Sequence, residues 1–187
     1  ASLLAEGVEV PGTPFADTLS GTSADDRIYT GAANDILDGG AGDDVLDGGA
    51  GVDRLIGGPG NDRYRHGRGD GFDRIEDNGL TNDIDAIVFG SDIVPTDLVV
   101  RRENDDLVLD AVDGGHGLRV ASWFGAASMR IEAAIFENGE QWDATSLASL
   151  AGSGATLLAP MRVPTPVGVS HVNPLCRKAS LMATIEV

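Results

Sequence analysis

The chain has 187 residues, of which 42% are hydrophobic and 5% aromatic, so it can bury one modest core or two small ones. Its formal net charge of −17 disfavours nucleic-acid binding, and its single cysteine, Cys176, excludes an internal disulfide. No stretch of the sequence reaches the ~20 apolar residues of a membrane-spanning helix. Residues 1–11 lack the basic start and apolar run of a signal peptide, and we expect them to be a linker or an N-terminal cap within a longer protein.

A period of nine residues begins at residue 12. Every ninth residue is an aspartate with a large apolar residue two positions beyond it, and the pairs are Asp17 and Leu19, Asp26 and Ile28, Asp35 and Leu37, Asp44 and Leu46, Asp53 and Leu55, and Asp62 and Tyr64. The most regular copies are GGAGDDVLD (39–47), GGAGVDRLI (48–56) and GGPGNDRYR (57–65). Each copy has a glycine-rich half, which can turn sharply at positive φ, and a half that can extend as a strand.

Two such copies form a coil of eighteen residues with a turn on each side. Coils stacked at the strand separation of ~4.8 Å build a roll with a parallel sheet on each face. The glycine turns then stack along both edges, where backbone carbonyls and aspartates from turns one coil apart converge on the same gap. About six oxygen ligands, some of them carboxylates, suit Ca²⁺ better than Mg²⁺. The period therefore predicts an all-β, calcium-binding parallel β-roll over residues 12–76.

This segment resembles the nonapeptide repeats of the repeats-in-toxin (RTX) proteins, whose pattern is GGxGxD, any residue, a large apolar residue, any residue. In that family, positions two, four and six of one unit and positions one, three and six of the unit two further on hold each ion. After Tyr64 the register slips by two, since RGDGFDRIE (68–76) again has Asp73 in sixth place. The resemblance implies three sites: Gly40, Gly42 and Asp44 with Gly57, Pro59 and Asp62; Gly31, Ala33 and Asp35 with Gly48, Ala50 and Asp53; and Gly49, Gly51 and Asp53 with Arg68, Asp70 and Asp73.

The units before residue 39 depart from the pattern. GTPFADTLS (12–20), GTSADDRIY (21–29) and TGAANDILD (30–38) keep the aspartates, including Asp17 and Asp26, but lose most of the paired glycines. Residues with a Cβ are strained in such tight turns, so we expect weaker or missing ions toward the N-terminus. The alternative is that these units simply cap the first coil.

Residues 77–150 show ordinary strand signals instead of the period of nine. We expect strands at 83–89, 98–102, 107–112, 117–124 and 130–136, a helix at Ala144–Leu150, and a small antiparallel β domain that closes the end of the roll. The segments YRHGRGDGFD, DLVV, DLVL, Trp123-Phe124 and FENGEQW are similar to the domain that often follows RTX repeats. One departure is His66, where that pattern has an aromatic residue.

No enzyme motif is evident. The histidines are far apart and none lies in an HExxH arrangement, no GxSxG is present, and the acidic glycine loops are followed by no GK[ST]. The adjacent pairs Asp25-Asp26 and Asp43-Asp44 combine a variable, solvated repeat position with the repeated aspartate. We therefore expect no catalytic activity in this chain, and any catalytic domain would lie upstream of it.

Charge and resemblance together indicate a function. Residues 1–150 contain 10 basic and 29 acidic residues, a net charge of 10 − 29 = −19. Such crowding opposes compaction, so we expect a segment that is disordered at low calcium and folds when about three to five Ca²⁺ bind. The resemblance implies a secreted, extracellular, monomeric bacterial module whose partner is the type I secretion machinery. Alternatives are the end of a secreted adhesin, or the non-catalytic tail of a secreted toxin, protease or lipase.

Residues 151–187 form a proline-containing tail with three basic residues and one acidic residue. The resemblance allows a C-terminal secretion signal here, and the alternative is a flexible tail without a function of its own.

Overall fold

Two seven-stranded sheets face each other in the structure, a computed structural model that describes residues 7–80, 82–125 and 130–153. The strands are β1 (Glu9–Pro11), β2 (Thr18–Ser20), β3 (Arg27–Ala32), β4 (Ile36–Asp38), β5 (Val45–Ala50), β6 (Arg54–Ile56), β7 (Arg63–His66), β8 (Phe72–Ile75), β9 (Ala86–Phe89), β10 (Leu98–Glu103), β11 (Asp106–Ala111), β12 (Gly117–Val120), β13 (Ala133–Phe136) and β14 (Gln141–Asp143). A 3₁₀ turn spans Pro95–Asp97, and the helix α1 spans Ala144–Ser153.

Residues 9–75 form the predicted parallel roll. Strands β1, β3, β5 and β7 pair in parallel on one face, and β2, β4, β6 and β8 pair in parallel on the other. Ile28 stands opposite Leu46, which stands opposite Tyr64, so neighbouring strands are offset by one coil of eighteen residues. Between β6 and β8 the offset grows to twenty, since Leu55 pairs with Ile75. The two-residue slip seen in the sequence therefore lies in the last coil.

The core of the roll consists of the apolar residue that follows each repeated aspartate. Six of these side chains have 0% exposed surface: Ile28, Leu37, Leu46, Leu55, Tyr64 and Ile75. Full burial of one such aliphatic side chain contributes about 1.5–3 kcal/mol to folding. Leu19, at the start of the roll, is only partly buried. Three of the six come from each sheet, so the core of the roll is one side chain deep on each face.

Beyond residue 76 the two sheets continue without a break. β9 pairs in parallel with β7 and then with β13, and β12 pairs in parallel with β8. The predicted antiparallel geometry is found only for β10–β11–β12 and β13–β14. β9 and β12 thereby pair the edges that β7 and β8 would otherwise leave open, and the direction of this pairing is not encoded in the strand patterns. The predicted strands and the helix at Ala144–Leu150 all occur, with bounds shifted by a few residues.

Aromatic side chains join the aliphatic core of residues 77–150. Phe89 stacks on Phe136 with ring centroids 4.9 Å apart, and Trp142 meets Phe136 edge to face at the same distance. Trp123 is 2% exposed, and its indole N–H donates to the Ile131 carbonyl oxygen at 3.0 Å. This wider core closes the narrow roll at one end. Within the residues described, no helix combines the length and hydropathy that a membrane crossing requires.

The domain boundaries at residues 11, 76 and 150 stay predictions. Residues 1–6, most of the expected N-terminal linker or cap, and residues 154–187, nearly all of the expected tail, lie outside the described residues.

Candidate calcium sites

The repeated aspartates form two hydrogen-bonded ladders, one along each edge of the roll. In each, the Oδ1 atom of an aspartate accepts the backbone N–H of the aspartate one coil earlier, at 2.7–3.0 Å. The Asp53 ladder consists of Asp17, Asp35, Asp53 and Asp73, and the Asp62 ladder consists of Asp26, Asp44, Asp62 and Asp85. In the regular units Oδ2 is then held toward the first glycine of the same unit, since a Cβ on Gly39, Gly48 or Gly57 would collide with Oδ2 of Asp44, Asp53 or Asp62.

Four of these Oδ2 atoms are buried and accept no hydrogen bond from any group in the described part of the chain. They belong to Asp35, Asp44, Asp53 and Asp62, which are 0–1% exposed. A buried carboxylate oxygen without a partner costs several kcal/mol, so native structures normally provide a proton, a donor or a cation for it. The described residues therefore fit a bound cation better than a metal-free carboxylate.

The first predicted site lies between the turns 39–44 and 57–62, on the Asp62 ladder. The carbonyl oxygens of Gly57 and Pro59 point toward the earlier turn and accept the N–H groups of Gly40 at 3.2 Å and Gly42 at 2.9 Å. The carbonyl oxygens of Gly40 and Gly42 face the later turn so closely that a Cβ on the glycine opposite each would collide with them. The four carbonyl oxygens and Asp44 Oδ2 therefore lie between the two turns, whereas Asp62 Oδ2 lies beside Gly57 on the later turn.

A glycine at the first position of the unit is a spatial requirement of this gap. A Cβ added to Gly39 would overlap Asp44 Oδ2 and approach the Gly57 carbonyl oxygen at 2.8 Å. The space that a side chain would fill is thus the space between the predicted ligands, which is where a cation would sit.

The second predicted site, on the Asp53 ladder, shows one difference. The carbonyl oxygens of Gly31 and Ala33 face the following turn, as in the first site. Gly48 and Ala50 lie in β5 beside β3, but the Gly48 carbonyl oxygen already accepts the hydroxyl of Thr30 at 2.7 Å. Thr30 occupies the first position of its unit, where the regular copies have glycine. One predicted ligand of this site is therefore engaged by a side chain.

The third predicted site is the least regular. Asp53 and Asp73 adjoin, and the Asp70 carbonyl oxygen accepts the Gly51 N–H at 2.8 Å. However, Asp73 Oδ2 lies 3.0 Å from His66 Nδ1, so this carboxylate has a partner that the regular rungs lack. The Arg68 guanidinium binds Asp97 and Asp113 at the surface. Gly49, the remaining predicted ligand, lies so close to the preceding turn that an added Cβ would stand 2.3 Å from the Gly31 carbonyl oxygen.

His66 and His116 form a buried pair that sequence reasoning did not predict. His66 Nε2 lies 3.2 Å from His116 Nδ1, and the His66 ring meets Phe89 edge to face. Burial and the neighbouring His66 lower the pKa of His116. His66 therefore fills the aromatic position of the family pattern while linking Asp73 to the core of residues 77–150.

The N-terminal aspartates of the ladders differ from the regular ones because nearby backbone and side-chain groups donate hydrogen bonds to their carboxylates. Asp26 accepts the backbone N–H groups of Val8 and Thr22, and Asp17 Oδ2 accepts the N–H and hydroxyl of Thr13. Burial raises the pKa of Asp26, but the hydrogen bonds from Val8 and Thr22 outweigh it and the pKa is lowered. This arrangement fits the capping alternative for the first coil.

The regular rungs show the opposite electrostatics. Burial raises the pKa of Asp44 to about 6 and the pKa values of Asp53 and Asp62 to about 7, and neighbouring carboxylates add to the effect. Near neutral pH these groups therefore have a strong free-energy incentive to bind a proton or a cation.

Sequence reasoning missed two carboxylates at the end of the Asp62 ladder. One oxygen each of Asp62, Asp77 and Asp85 lies within 4.8 Å of the others, and all three residues are buried. Burial raises the pKa of Asp77 to about 6 and that of Asp85 to about 8. The available signal was LTNDIDAIV (80–88), which keeps the aspartate in sixth place and an isoleucine in eighth but contains no glycine.

Two family patterns match this chain. The pattern of the RTX calcium-binding nonapeptide repeat (4 copies) matches residues 11–46 and 39–73, and that of the haemolysin-type calcium binding protein related domain matches residues 106–146. One similar solved structure is the solution structure of the AlgE6R3 subunit from the Azotobacter vinelandii mannuronan C5-epimerase. The two chains are 19% identical, the match covers 96% of this chain and 95% of that chain, and the TM-score is 0.34. A comparison with curated proteins finds no match. The chain therefore belongs to the RTX family, as a calcium-binding nonapeptide β-roll joined to a haemolysin-type calcium binding protein related domain.

Proposed function

We propose that this chain is a calcium-dependent folding module of a secreted bacterial protein, disordered at low calcium and folded by extracellular Ca²⁺. The observation that carries this proposal is the set of four buried aspartate oxygens without a hydrogen-bond partner in the described chain. They lie in stacked turns whose carbonyl oxygens face the same gaps.

The charge of the roll supports disorder at low calcium. Burial and the charges of neighbouring carboxylates both raise the pKa values of Asp44, Asp53 and Asp62. Without cations, folding must either protonate these groups or bury them charged, and each choice costs free energy near neutral pH. The thin core adds one buried apolar side chain per unit, which leaves little free energy to offset that cost.

Export through the type I secretion machinery is the role that this behaviour suits. A chain that stays open in the low-calcium cytoplasm can pass through a narrow channel and fold where calcium is in the millimolar range, near the 10⁻⁴ to 10⁻³ M dissociation constants typical of extracellular modules. We propose a monomer that binds about three to five Ca²⁺ cooperatively, because interior aspartates such as Asp53 serve two neighbouring predicted sites. In this proposal the module is structural, and any catalytic activity belongs to another part of the parent protein.

A calcium titration with reversal by EGTA tests the proposal, with far-UV circular dichroism and size-exclusion chromatography as readouts. We expect an expanded chain with little β signal in chelator, and a compact chain with β signal in millimolar calcium. An ordered, protease-resistant chain in thoroughly chelated buffer, unchanged by calcium, would refute the proposal.

A truncation after residue 76 tests the role of the end of the roll. It keeps all ligands of the three predicted repeat sites but leaves β7 and β8 without their partners β9 and β12. We expect the truncated chain to lose calcium-induced folding. If it gained β signal at the same calcium concentration, residues 77–150 would not be needed to nucleate the roll.

A further inference from the structure

At the junction between the roll and residues 77–150, three carboxylates converge beyond the last regular repeat. Asp62 is the sixth residue of the last regular unit, whereas Asp77 and Asp85 lie outside the three predicted repeat sites. Asp62 is 0% exposed and the other two are 2% exposed. One carboxylate oxygen from each lies within 4.8 Å of the others.

The Asp62 oxygen that accepts no hydrogen bond within the described chain points into this cluster. Its Oδ1 accepts the Asp44 N–H, so the orphaned atom is Oδ2. A Cβ added to Gly57 would stand 2.2 Å from both Asp62 Oδ2 and the Tyr64 hydroxyl oxygen, so these two atoms are close to each other. That hydroxyl in turn donates to Asp77 Oδ1 at 3.4 Å. Asp62 Oδ2, the Tyr64 oxygen and Asp77 thus share one small region.

Backbone groups enclose the same region. A Cβ on Gly79 would lie 2.7 Å from the Gly58 carbonyl oxygen and 3.6 Å from Asp77 Oδ1, so this carbonyl also faces the cluster. Asp85 is held in place because its Oδ1 accepts the Asp62 N–H at 2.8 Å and its own N–H donates to Glu132 at 3.0 Å. The donors are therefore positioned by the roll, by the loop after β8 and by the segment before β13.

We propose that Asp62, Asp77 and Asp85 form a separate Ca²⁺ site that joins the last unit of the roll to the segment that closes it. All the donors are oxygens, as a hard cation requires, and three of them are carboxylates. The three oxygens lie within the separation of ~4.8 Å that two ligands of one Ca²⁺, each bound at ~2.4 Å, can span.

This junction site rests on the proposed function, since it gives calcium a second role in the same fold. The ions of the nonapeptide turns tie one coil of the roll to the next. The junction ion ties the roll to residues 77–85, which lead into β9, the parallel partner of β7.

Calcium counting by equilibrium dialysis with radioactive Ca²⁺, on the whole chain at saturating calcium, tests the proposal. Asp77→Asn keeps the size of the side chain and an oxygen for the Tyr64 hydroxyl, and it alters no residue of the three predicted repeat sites. We expect it to bind one ion fewer per chain than the wild type. Asp38→Asn, which removes a charge from an exposed position of the roll, is the matched control and is expected to bind the wild-type number.

A count for Asp77→Asn equal to the wild-type count would overturn the junction site and would mean that the three carboxyls share a proton only. The proposed function would then still stand if both proteins folded on calcium addition. A wild-type chain that bound no calcium would refute both.

A crystal of the wild-type chain grown in calcium keeps the proposal testable if Asp77→Asn fails to fold. Anomalous difference density between Asp62, Asp77 and Asp85 is expected. Density in the glycine turns but none between these three side chains would overturn the junction site and leave the proposed function intact.

Discussion

Asp53→Asn is expected to have effects of opposite sign in the absence and in the presence of calcium. The substitution removes a buried charge but keeps an oxygen that can accept the Asp35 N–H, which donates to Asp53 Oδ1 at 2.8 Å. The ladder should therefore stay intact, and the change should report mainly on ionisation and on metal binding.

The magnitude follows from the electrostatics of the turn. Burial, followed by the charges of Asp73 and Asp35, raises the pKa of Asp53 from 3.8 to about 7. A difference of about 3 pH units corresponds to about 4 kcal/mol, at about 1.4 kcal/mol per unit. Because the folded chain binds this proton more tightly than the unfolded chain, the stability of the metal-free fold falls as the pH rises from about 4 to about 7. Asparagine cannot ionise, so it removes this loss.

The assay is folding driven by the osmolyte TMAO in metal-depleted buffer, followed by far-UV circular dichroism. At pH 8 we expect Asp53→Asn to stabilise the metal-free fold by up to about 4 kcal/mol, which lowers the TMAO concentration at half-folding. At pH 5 the expected gain falls to about 2 kcal/mol, because much of the wild-type penalty has been removed by protonation.

In calcium the sign reverses. Asp53 belongs to two predicted sites, so its substitution should raise the calcium concentration at half-folding by about tenfold or more, equivalent to about 1.4 kcal/mol or more. Asp43→Asn is the control, because hydrogen bonds from Asn61 lower the pKa of the exposed Asp43. Two results would refute the reasoning: an Asp53→Asn protein less stable than the wild type in metal-depleted buffer at pH 8, or a gain in stability over the wild type that is equal at pH 5 and pH 8.

Asp44→Ala is expected to raise the calcium concentration at half-folding, because Asp44 Oδ2 lines a predicted site, whereas Asp38→Ala, at an exposed position, should leave it nearly unchanged; equal shifts in circular-dichroism titrations would contradict the ligand assignment. Gly57→Ala should also weaken calcium-induced folding in the same titration, since the added Cβ would collide with Asp62 Oδ2. A calcium concentration at half-folding equal to that of the wild type would count against a cation site beside Gly57. Leu46→Ala, at a position with 0% exposed surface, should lower the free energy of unfolding in calcium by about 2–5 kcal/mol, measured by urea denaturation. Lowering the pH of the wild type from 8 to 6 in metal-depleted buffer should lower the TMAO concentration at half-folding, because the folded chain takes up protons at carboxyls whose pKa values lie at about 6 to 7 while the unfolded chain keeps them ionised, and a pH-independent midpoint would argue against this burial of the carboxyls.

The period of nine predicted the roll, its core and its family because every unit meets the same surroundings. Leu37, Leu46 and Leu55 occupy equivalent positions one unit apart, so burial of one implies burial of all. The same repetition predicted that the aspartates would stack along two edges, which the ladders confirm.

The remaining features depend on contacts that no local pattern encodes. The parallel pairing of β9 with β7 and of β12 with β8 follows from which edges the roll leaves open, and a strand pattern does not specify direction. Asp77 was missed because it lies in a segment without paired glycines, and its relation to Asp62 appears only when the chain folds back. The hydroxyl of Thr30 on the Gly48 carbonyl oxygen likewise follows from stacking across one coil.

The alternation of successive units between the two sheets sets a rule for how such a chain can change length. Duplicating eighteen residues, such as 39–56, would insert one complete turn of the solenoid and return every later unit to its original side. Duplicating only nine would move every later strand of the roll to the opposite sheet. The strands that now pair with β9 and β12 would then each lie beside the wrong partner. Growth or shortening of the roll by recombination should therefore be tolerated in even numbers of units and rejected in odd ones.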